Sequence, residues 1–349
     1  MSLTRRSLFL AGAGAAAVVG GLELSRIPAL AKNQPGLPYR VNTLTGPEQT
    51  GRFGAAWTDL GIPVRCPNGS LLYIGGDTYD GGYLGEGDWR CPVGLRSGRP
   101  DGVIDGSVGG DHARSLVPEG HAGGTTAIPS DIFRIGDKLY LHLMRGRLHE
   151  THHSDFWESS DNGETWTYLC QWPGEMLRGA FQQKAYAVAE DGWCYVLSSR
   201  FSRGIPSELL LHRVRHEQVG DPAAYEPWGH DGTSWDWGRP ATTVAPVQPW
   251  GEICFRAMDG GYAFSWFHCP DNSIRVQRLD RPTSNLFTTP QKTLIVNCPV
   301  SMQGENRVTS PYGGFIMPGS TFADFTFLVS QWNNAIRSYR IFTYRAHNI

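Results

Sequence analysis

The sequence predicts an all-β fold organised as a five-bladed β-propeller. The chain contains 43 glycines, 23 prolines and 12 tryptophans, a composition typical of many turns and many aromatic-bearing strands. It has no long amphipathic pattern of helical period. A strand–turn–strand pattern recurs about every 55–70 residues, which is the spacing of propeller blades with extended loops. A β-sandwich with similar turns is the alternative, and the regular spacing favours the propeller.

The first 31 residues are predicted to be an export signal and are set aside from the fold. Residues 4–10 carry a twin-arginine pattern, an apolar run follows from 11 to 22, and residues 29–31 form an A-x-A cleavage site. This combination is an export address. The apolar run is short for a membrane span, which needs about 20 residues. A retained signal-anchor is the alternative. We expect twin-arginine export to the periplasm, cell wall or medium, with no stable membrane span after cleavage.

The remaining chain is predicted to be an N-terminal linker, residues 32–50, followed by one propeller domain, residues 51–349. Removing the signal takes away three arginines and one glutamate, so the formal charge changes from −2 to −4. Such a weak negative charge argues against a nucleic-acid partner, which requires a basic surface.

The first repeat is predicted to be a β-hairpin, because Asn68-Gly69 lies between two apolar, strand-like runs. Pairing about this turn sets Val64 against Leu72 and Ile62 against Ile74. Register fixed in this way also determines which residues face each other at the far end of the hairpin.

That register sets Asp59 against Asp77, with Cβ atoms roughly 4.5–5.5 Å apart. Like charges opposed on a sheet are destabilising, so the pair indicates a function. A slip of one residue would instead place the two carboxylates on opposite faces. In the alternative interpretation, both groups simply bind turn amides or neighbouring arginines.

A long insertion, residues 78–124, interrupts the repeats directly after Asp77. It is rich in glycine and aspartate, and long loops in compact domains are usually functional or mobile. Its candidate side chains are Trp89, Arg90, Asp105, Asp111, His112 and His121. We expect either a loop that covers the substrate, with Trp89 contacting it, or a disordered insertion.

Four further hairpins follow along the chain, at residues 132–144, 185–198, 252–267 and 307–330. Each is followed by an outer strand, at residues 155–159, 209–214, 274–279 and 336–344. In the second repeat, residues 159–166 fit S-x-D-x-G-x-T-W and resemble the Asp-box of sialidase-like propellers. We interpret this motif as a structural turn.

Neither a cofactor nor a metal site is predicted. The chain has seven cysteines but no C-x-x-C pair, so at least one thiol is unpaired and disulfide connectivity stays open. His149, His152 and His153 lie near Glu150 and Asp155, but without the spacing of a zinc-binding H-E-x-x-H helix. A structural ion in the channel is left open.

Three motifs carry a family resemblance: Asp59-Leu60-Gly61, Asn68-Gly69 and Gly76-Asp77-Thr78. Together they look like the opening of a family once labelled as a domain of unknown function and now placed among the endo-D-arabinanase glycoside hydrolases. With the Asp-box and the repeats, the likeness extends over roughly residues 50–345. The insertion is where this chain departs from the family, which affects subsite shape and chain-length preference.

The resemblance implies a five-bladed propeller without cofactor that cleaves internal α-D-arabinofuranosyl linkages. The implied partner is the cell-wall arabinan of arabinogalactan and lipoarabinomannan, and the implied catalytic carboxylates are Asp59 and Asp77. This agrees with the chemistry of glycosidases, which use one protonated and one ionised carboxyl group. Two neighbouring carboxylates separate their pKa values and so divide these roles.

Other residues at comparable places in the repeats are candidates for supporting roles. Asp131 opens blade two and Glu252 opens blade four, so either could face the same cavity as a supporting carboxylate. Gln183, Trp250 and Trp89 are candidate substrate-binding residues, because amides and flat aromatic faces suit sugar rings.

Two alternative functions remain at this level. A non-catalytic propeller that binds cell-wall glycan would share the fold and the aromatic residues but would not need opposed carboxylates. Another propeller glycosidase, such as an L-arabinanase or a sialidase-like enzyme, would differ in substrate. The sequence leaves open whether the reaction retains or inverts the anomeric configuration.

Overall fold

The computed structural model describes residues 37–118 and 125–349 and confirms the five-bladed β-propeller. The predicted export signal, residues 1–31, and His121 of the insertion lie outside the described residues. Within the described part of the chain, no helix has the length and apolarity needed to cross a membrane.

Five sheets form the blades, and their strands pair in antiparallel fashion except for one parallel pair, the last two strands of blade four. Strand β1 (Tyr39–Thr43) comes first in the chain and belongs to blade five. Blade one contains β2 (Trp57–Arg65), β3 (Leu71–Tyr79), β4 (Val93–Ser97) and β5 (Gly106–Ser107). Blade two contains β6 (Thr126–Ile135), β7 (Lys138–Arg147), β8 (Glu150–Ser159) and β9 (Thr167–Pro173).

The remaining blades follow in chain order, with one exchanged strand. Blade three contains β10 (Gln183–Val188), β11 (Trp193–Ser199), β13 (Leu209–Arg215), β14 (Glu226–His230) and β15 (Trp235–Trp237). Between them, β12 (Ser202–Ser207) joins blade four, which contains β16 (Gln248–Met258), β17 (Gly261–His268), β18 (Ser273–Leu279), β19 (Gln291–Asn297) and β20 (Arg307–Val308). Blade five contains β21 (Pro311–Ile316), β22 (Asp324–Asn333) and β23 (Ser338–His347).

Helices in the described residues are short and lie in connections. One α-helix, α1 (Pro47–Thr50), precedes blade one. The 3-10 turns are Gly51–Phe53, Met176–Gly179, His216–Gln218, Pro222–Ala224 and Val300–Met302. The fold in the described residues is therefore built almost entirely from strands and their loops.

Pairing between β1 and β23 closes the ring. Tyr39 lies opposite Arg345 and Thr43 opposite Phe342, so the two ends of the chain share one blade. Just after β1, the Ile341 amide donates a 2.9 Å hydrogen bond to the Thr45 hydroxyl. The range assigned to an N-terminal linker, residues 32–50, thus contains a blade strand as well as α1.

The first strands of the five blades, β2, β6, β10, β16 and β21, contact one another in a ring around the central channel. They run in the same direction because each begins a blade after an inter-blade connection. Their starts therefore collect at one end of the channel, and the hairpin turns collect at the other. The candidate catalytic residues lie near the strand starts.

The Asp-box joins blade two to the first hairpin. The Asp161 carboxylate accepts hydrogen bonds from the Thr165 amide and the Ser159 hydroxyl, at 2.9 and 2.7 Å, which fixes the turn. The Asn162 side chain then accepts a 3.1 Å bond from the Asn68 amide. The motif therefore holds two blades together, in keeping with a structural role.

A buried ion pair crosses the channel between blades two and four. The two terminal nitrogens of the Arg256 guanidinium donate hydrogen bonds to the fully buried Asp131 carboxylate, at 2.8 and 2.6 Å. The Tyr186 amide of blade three donates a further 2.7 Å bond to it. Asp131 thus links three blades. On the turn side of the channel, Arg256 lines a cavity of about 260 Å³.

We expect Asp131→Ala to lower the free energy of unfolding by about 3–5 kcal/mol, because it leaves the Arg256 charge buried without its partner. Urea denaturation measures this loss. Asp101→Ala is the control, because it breaks the exposed Arg99–Asp101 pair and should leave the midpoint unchanged. Equal midpoints for the two variants would contradict the role assigned to Asp131.

Candidate active site

The first hairpin has the predicted register over most of its length. Val64 lies opposite Leu72 and Ile62 opposite Ile74, as expected from the Asn-Gly turn. Towards the end that carries the two aspartates, the ladder is interrupted around Leu60. The interruption is a bulge rather than a lasting slip, because Thr58 and Thr78 again lie opposite each other beyond it.

The bulge places a leucine in an unfavourable backbone conformation. Leu60 has φ of 61° and Gly61 has φ of 66°. A non-glycine residue in this region costs on the order of 1–3 kcal/mol, and such strain concentrates at functional sites. The Leu60 amide, which the bulge releases from the ladder, donates a 2.9 Å hydrogen bond to Ser330 of blade five.

Asp59 lies within this bulge, close against the partner strand. A Cβ added to Gly76 would lie 2.3 Å from Asp59 Oδ1, so only glycine leaves room for the carboxyl group. The Tyr312 hydroxyl donates a 2.9 Å hydrogen bond to Oδ2. The other oxygen, Oδ1, is buried and lacks a hydrogen-bond partner among the described residues. The residue as a whole is partly exposed.

The surroundings of Asp59 favour its protonated form. Burial, then the negative charge of Asp77, raises the pKa of Asp59 to about 7. The charge of Glu252 acts in the same direction, whereas hydrogen bonds from Tyr339 and Tyr312 oppose the shift. The two carboxyl groups therefore lie close enough for the charge of Asp77 to raise the pKa of Asp59. The bulge nevertheless interrupts direct strand pairing at this point.

Asp77 is held by donors from the insertion and from blade two. The Trp89 indole donates a 2.9 Å hydrogen bond to Asp77 Oδ1, and the Thr126 hydroxyl lies 3.3 Å from the same oxygen. The Trp89 ring is stacked on Tyr79, with centroids 6.3 Å apart. The insertion therefore brings an aromatic, partly exposed side chain to the carboxyl pair.

Glu252 reaches the same region from the start of β16. It accepts a 2.6 Å hydrogen bond from Arg203 on the exchanged strand β12. The Arg203 guanidinium also lies 5.0 Å from the centre of the Tyr312 ring, which binds Asp59. Glu252 is thus an ion-paired carboxylate, and its negative charge helps to raise the pKa of Asp59.

The remaining candidates lie away from the carboxyl pair. Asp131 is engaged by Arg256 deeper in the channel. Trp250 is 1% exposed, packs against Trp266 and donates its indole proton to a backbone carbonyl, so it belongs to the core. Gln183 is equally buried, and its amide nitrogen donates to Ser199 and to the Gly251 carbonyl. Neither side chain offers a surface to a sugar.

Sequence reasoning missed three residues around the pair: Tyr312, Tyr339 and Arg203. His149, which it considered only as part of a histidine cluster, lies near the charges of Arg203 and Glu252. Burial and the neighbouring Arg203 charge lower the pKa of His149, which lies in a β7–β8 turn at φ of 67°. Tyr312 could have been found by aligning the repeats, because it opens the first strand of its blade as Asp59 does. Tyr339 and Arg203 carry no such signal.

The seven cysteines all fall in the described ranges and are free thiols. Across residues 37–118 and 125–349, no group of three histidine, cysteine, aspartate or glutamate side chains is arranged to hold a metal ion.

The comparisons with known proteins agree with the extent of the propeller. Residues 45–345 match the model of the family described as Domain of unknown function (DUF4185). The chain belongs to the DUF4185 family. This match covers all five blades except for β1 and the last two residues of β23.

Two relatives of this DUF4185 protein cover most of the chain. The "Uncharacterized 35.9 kDa protein in asd 3'region" of Mycolicibacterium smegmatis is 26% identical over 322 residues, 84% of this chain and 93% of the relative. "Notoamide biosynthesis cluster protein J" of Aspergillus sp. (strain MF297-2) is 28% identical over 315 residues, 81% of each chain.

Solved structures share the fold at low sequence identity. A Bacteroides ovatus ATCC 8483 protein has a TM-score of 0.60 at 12% identity, covering 94% of this chain and 97% of its own. The α-L-arabinofuranosidase PaAbf62A from Podospora anserina has a TM-score of 0.52 at 14% identity, covering 90% and 98%. At these identities the likeness concerns the fold alone.

The raised pKa of Asp59 gives stability a specific dependence on pH. Between the ordinary aspartate pKa of 3.8 and about 7, the folded state holds a proton that the unfolded state has lost. Stability therefore falls as pH rises through this window. We expect Asp59→Asn to be more stable than wild type at pH 8, by on the order of 2–4 kcal/mol.

Urea denaturation at a series of pH values measures this difference. The gain should shrink as the pH falls below about 7 and vanish below about pH 3, where wild-type Asp59 is protonated in both states. Asp280→Asn, at an exposed position, is the matched control. A gain that did not change with pH would show that Asp59 does not titrate as described.

Proposed function

We propose that this DUF4185 protein is an exported endo-D-arabinanase that cleaves internal α-D-arabinofuranosyl linkages of arabinogalactan and lipoarabinomannan. The observation that carries the proposal is the coupled pair of carboxyl groups, Asp59 and Asp77, at the mouth of the propeller channel. The motifs around them support the substrate class, because they resemble the D-arabinan-hydrolysing family. The twin-arginine pattern of residues 4–10 supports export.

Comparison with other propellers supports hydrolysis of glycosidic bonds more broadly. A structure with the same fold carries the name α-L-arabinofuranosidase, so this architecture is compatible with acting on arabinofuranosyl groups. Strain at Leu60 and a buried carboxyl group without a partner on Oδ1 favour catalysis over simple glycan binding, because neither feature is needed to hold a sugar.

In the proposed mechanism, Asp59 is the general acid. Burial and the charge of Asp77 keep a proton on its carboxyl group near neutral pH, and this proton passes to the glycosidic oxygen as the bond to the anomeric carbon breaks. Tyr312 donates to Oδ2, so the proton is expected on Oδ1. That oxygen otherwise has no partner among the described residues.

Asp77 is the second carboxylate. The hydrogen bonds from Trp89 and Thr126 both end on Oδ1 and hold the carboxylate in position. Asp77 then either attacks the anomeric carbon or removes a proton from the attacking water, according to whether the reaction retains or inverts configuration. Two carboxyl groups suffice for this chemistry, so the mechanism requires no organic cofactor.

Glu252 and the aromatic side chains have supporting roles in this mechanism. The negative charge of Glu252 favours the protonated form of Asp59, and the ion pair with Arg203 stabilises Glu252 itself. The stacked rings of Trp89 and Tyr79 provide an aromatic surface beside Asp77 on which a furanose ring can pack.

We expect the protein to release arabino-oligosaccharides from purified arabinogalactan and lipoarabinomannan. Asp59→Asn and Asp77→Asn should each lower kcat by about 10²–10⁴, because each removes one half of the acid–base or nucleophilic pair. Chromatographic analysis of the released products measures both the activity and its endo character. Asp280→Asn, at an exposed site, should retain full activity.

The alternatives give different results in the same assay. Retention of the glycan without turnover, unchanged in both aspartate variants, would identify a binding propeller. Turnover of L-arabinan or sialosides but not of D-arabinan would keep the carboxyl pair and reject the substrate. Full activity of either aspartate variant would remove that residue from the mechanism.

A further inference from the structure

A groove of about 410 Å³ lies between blades four and five, away from the carboxyl pair. One wall is the loop that precedes and includes β20, and the other is the β1–β23 edge of blade five. Its floor includes the buried rings of Phe342 and Tyr344. The groove is therefore built from both ends of the chain and forms only when β1 closes the ring.

Three arginines converge on this groove: Arg40 from β1, Arg307 from β20 and Arg340 from β23. None of them forms an ion pair or a side-chain hydrogen bond with another described residue. Glu305 is the one carboxylate that lines the groove, and it too makes no ion pair within the described ranges. The local charge is thus strongly positive, although the chain as a whole carries a formal charge of −2.

Arg340 shows most clearly that a partner is absent from the protein itself. Its Nε is buried and has no hydrogen-bond partner among the described residues. Leaving a buried donor of a charged group unsatisfied costs about 1–3 kcal/mol or more. Arg203 Nε is likewise buried without a partner, but the charge of that guanidinium is balanced by Glu252, whereas no carboxylate among the described residues pairs with Arg340.

Amide and hydroxyl groups line one wall of the groove. The Gln331 amide nitrogen donates a 2.6 Å hydrogen bond to Gln303, and the Ser338 hydroxyl donates a 2.6 Å bond to the Gln331 oxygen. Ser338 and Arg340 are two residues apart in β23, so both lie on the side of the strand that lines the groove.

We propose that this groove binds a carbohydrate that carries an oxyanion, namely a phosphate or a carboxylate group. Guanidinium groups bind such anions through paired, charge-assisted hydrogen bonds, and Arg340 Nε supplies an unsatisfied donor for one of them. The exposed side chains of Gln303 and Glu305 beside the arginines offer hydrogen-bonding groups to the hydroxyls of a sugar. The inference stands independently of the reaction at Asp59.

Isothermal titration calorimetry with D-arabinose 5-phosphate, D-glucuronate, inorganic phosphate and neutral D-arabinose tests this. We expect saturable binding of at least one of the two anionic sugars, at least about tenfold weaker binding of inorganic phosphate, and none of neutral arabinose. Arg340→Gln and Arg307→Gln should each weaken binding about tenfold or more. Arg281→Gln, at an exposed arginine in the blade-four connection, is the matched control.

Asp59→Asn should bind the anionic sugar as wild type does, which separates this site from the catalytic proposal. Absence of saturable binding for both anionic sugars, or binding that Arg340→Gln leaves unchanged, would overturn the proposal. Inorganic phosphate binding as tightly as the sugar phosphate would overturn its carbohydrate part. A folded Arg340→Gln protein is confirmed by its circular dichroism spectrum before titration.

Discussion

The close approach of Asp59 and Asp77 is the interaction on which the candidate site depends. Two carboxyl groups in a confined place disfavour simultaneous ionisation, so one of them retains its proton at higher pH. The first blade accommodates this arrangement by a bulge at Leu60 and by a glycine at position 76, against which Asp59 Oδ1 lies. The backbone of a single hairpin therefore sets the unfavourable approach of the two carboxyl groups.

The propeller ring supplies the groups that hold this pair. Tyr312 comes from blade five, Thr126 from blade two and Glu252 from blade four, and each lies near the start of the first strand of its blade. These starts meet at one end of the channel only when the ring is closed. Closure rests on β1, so a strand that contributes none of these side chains is necessary for the geometry of the site.

Local signals allowed the fold and part of the site to be predicted. The Asn-Gly turn set the register that brings Asp59 and Asp77 into one region, and the regular hairpins gave the blade count. The bulge could not be predicted, because nothing in the sequence marks Leu60 for a left-handed conformation. The burial of Trp250 and the pairing of Asp131 depend on contacts between distant blades, which periodicity does not encode.

Asp59 keeps a proton near neutral pH because of its burial and the negative charge of Asp77. Carboxyl ¹³C NMR measures the protonation of this side chain directly. In protein labelled at the aspartate side-chain carboxyl carbon, the resonance lost in Asp59→Asn identifies Asp59. We expect a titration midpoint at about 7 in wild type and a lower midpoint in Asp77→Asn. A wild-type midpoint near the ordinary value of 3.8, unchanged in Asp77→Asn, would contradict it.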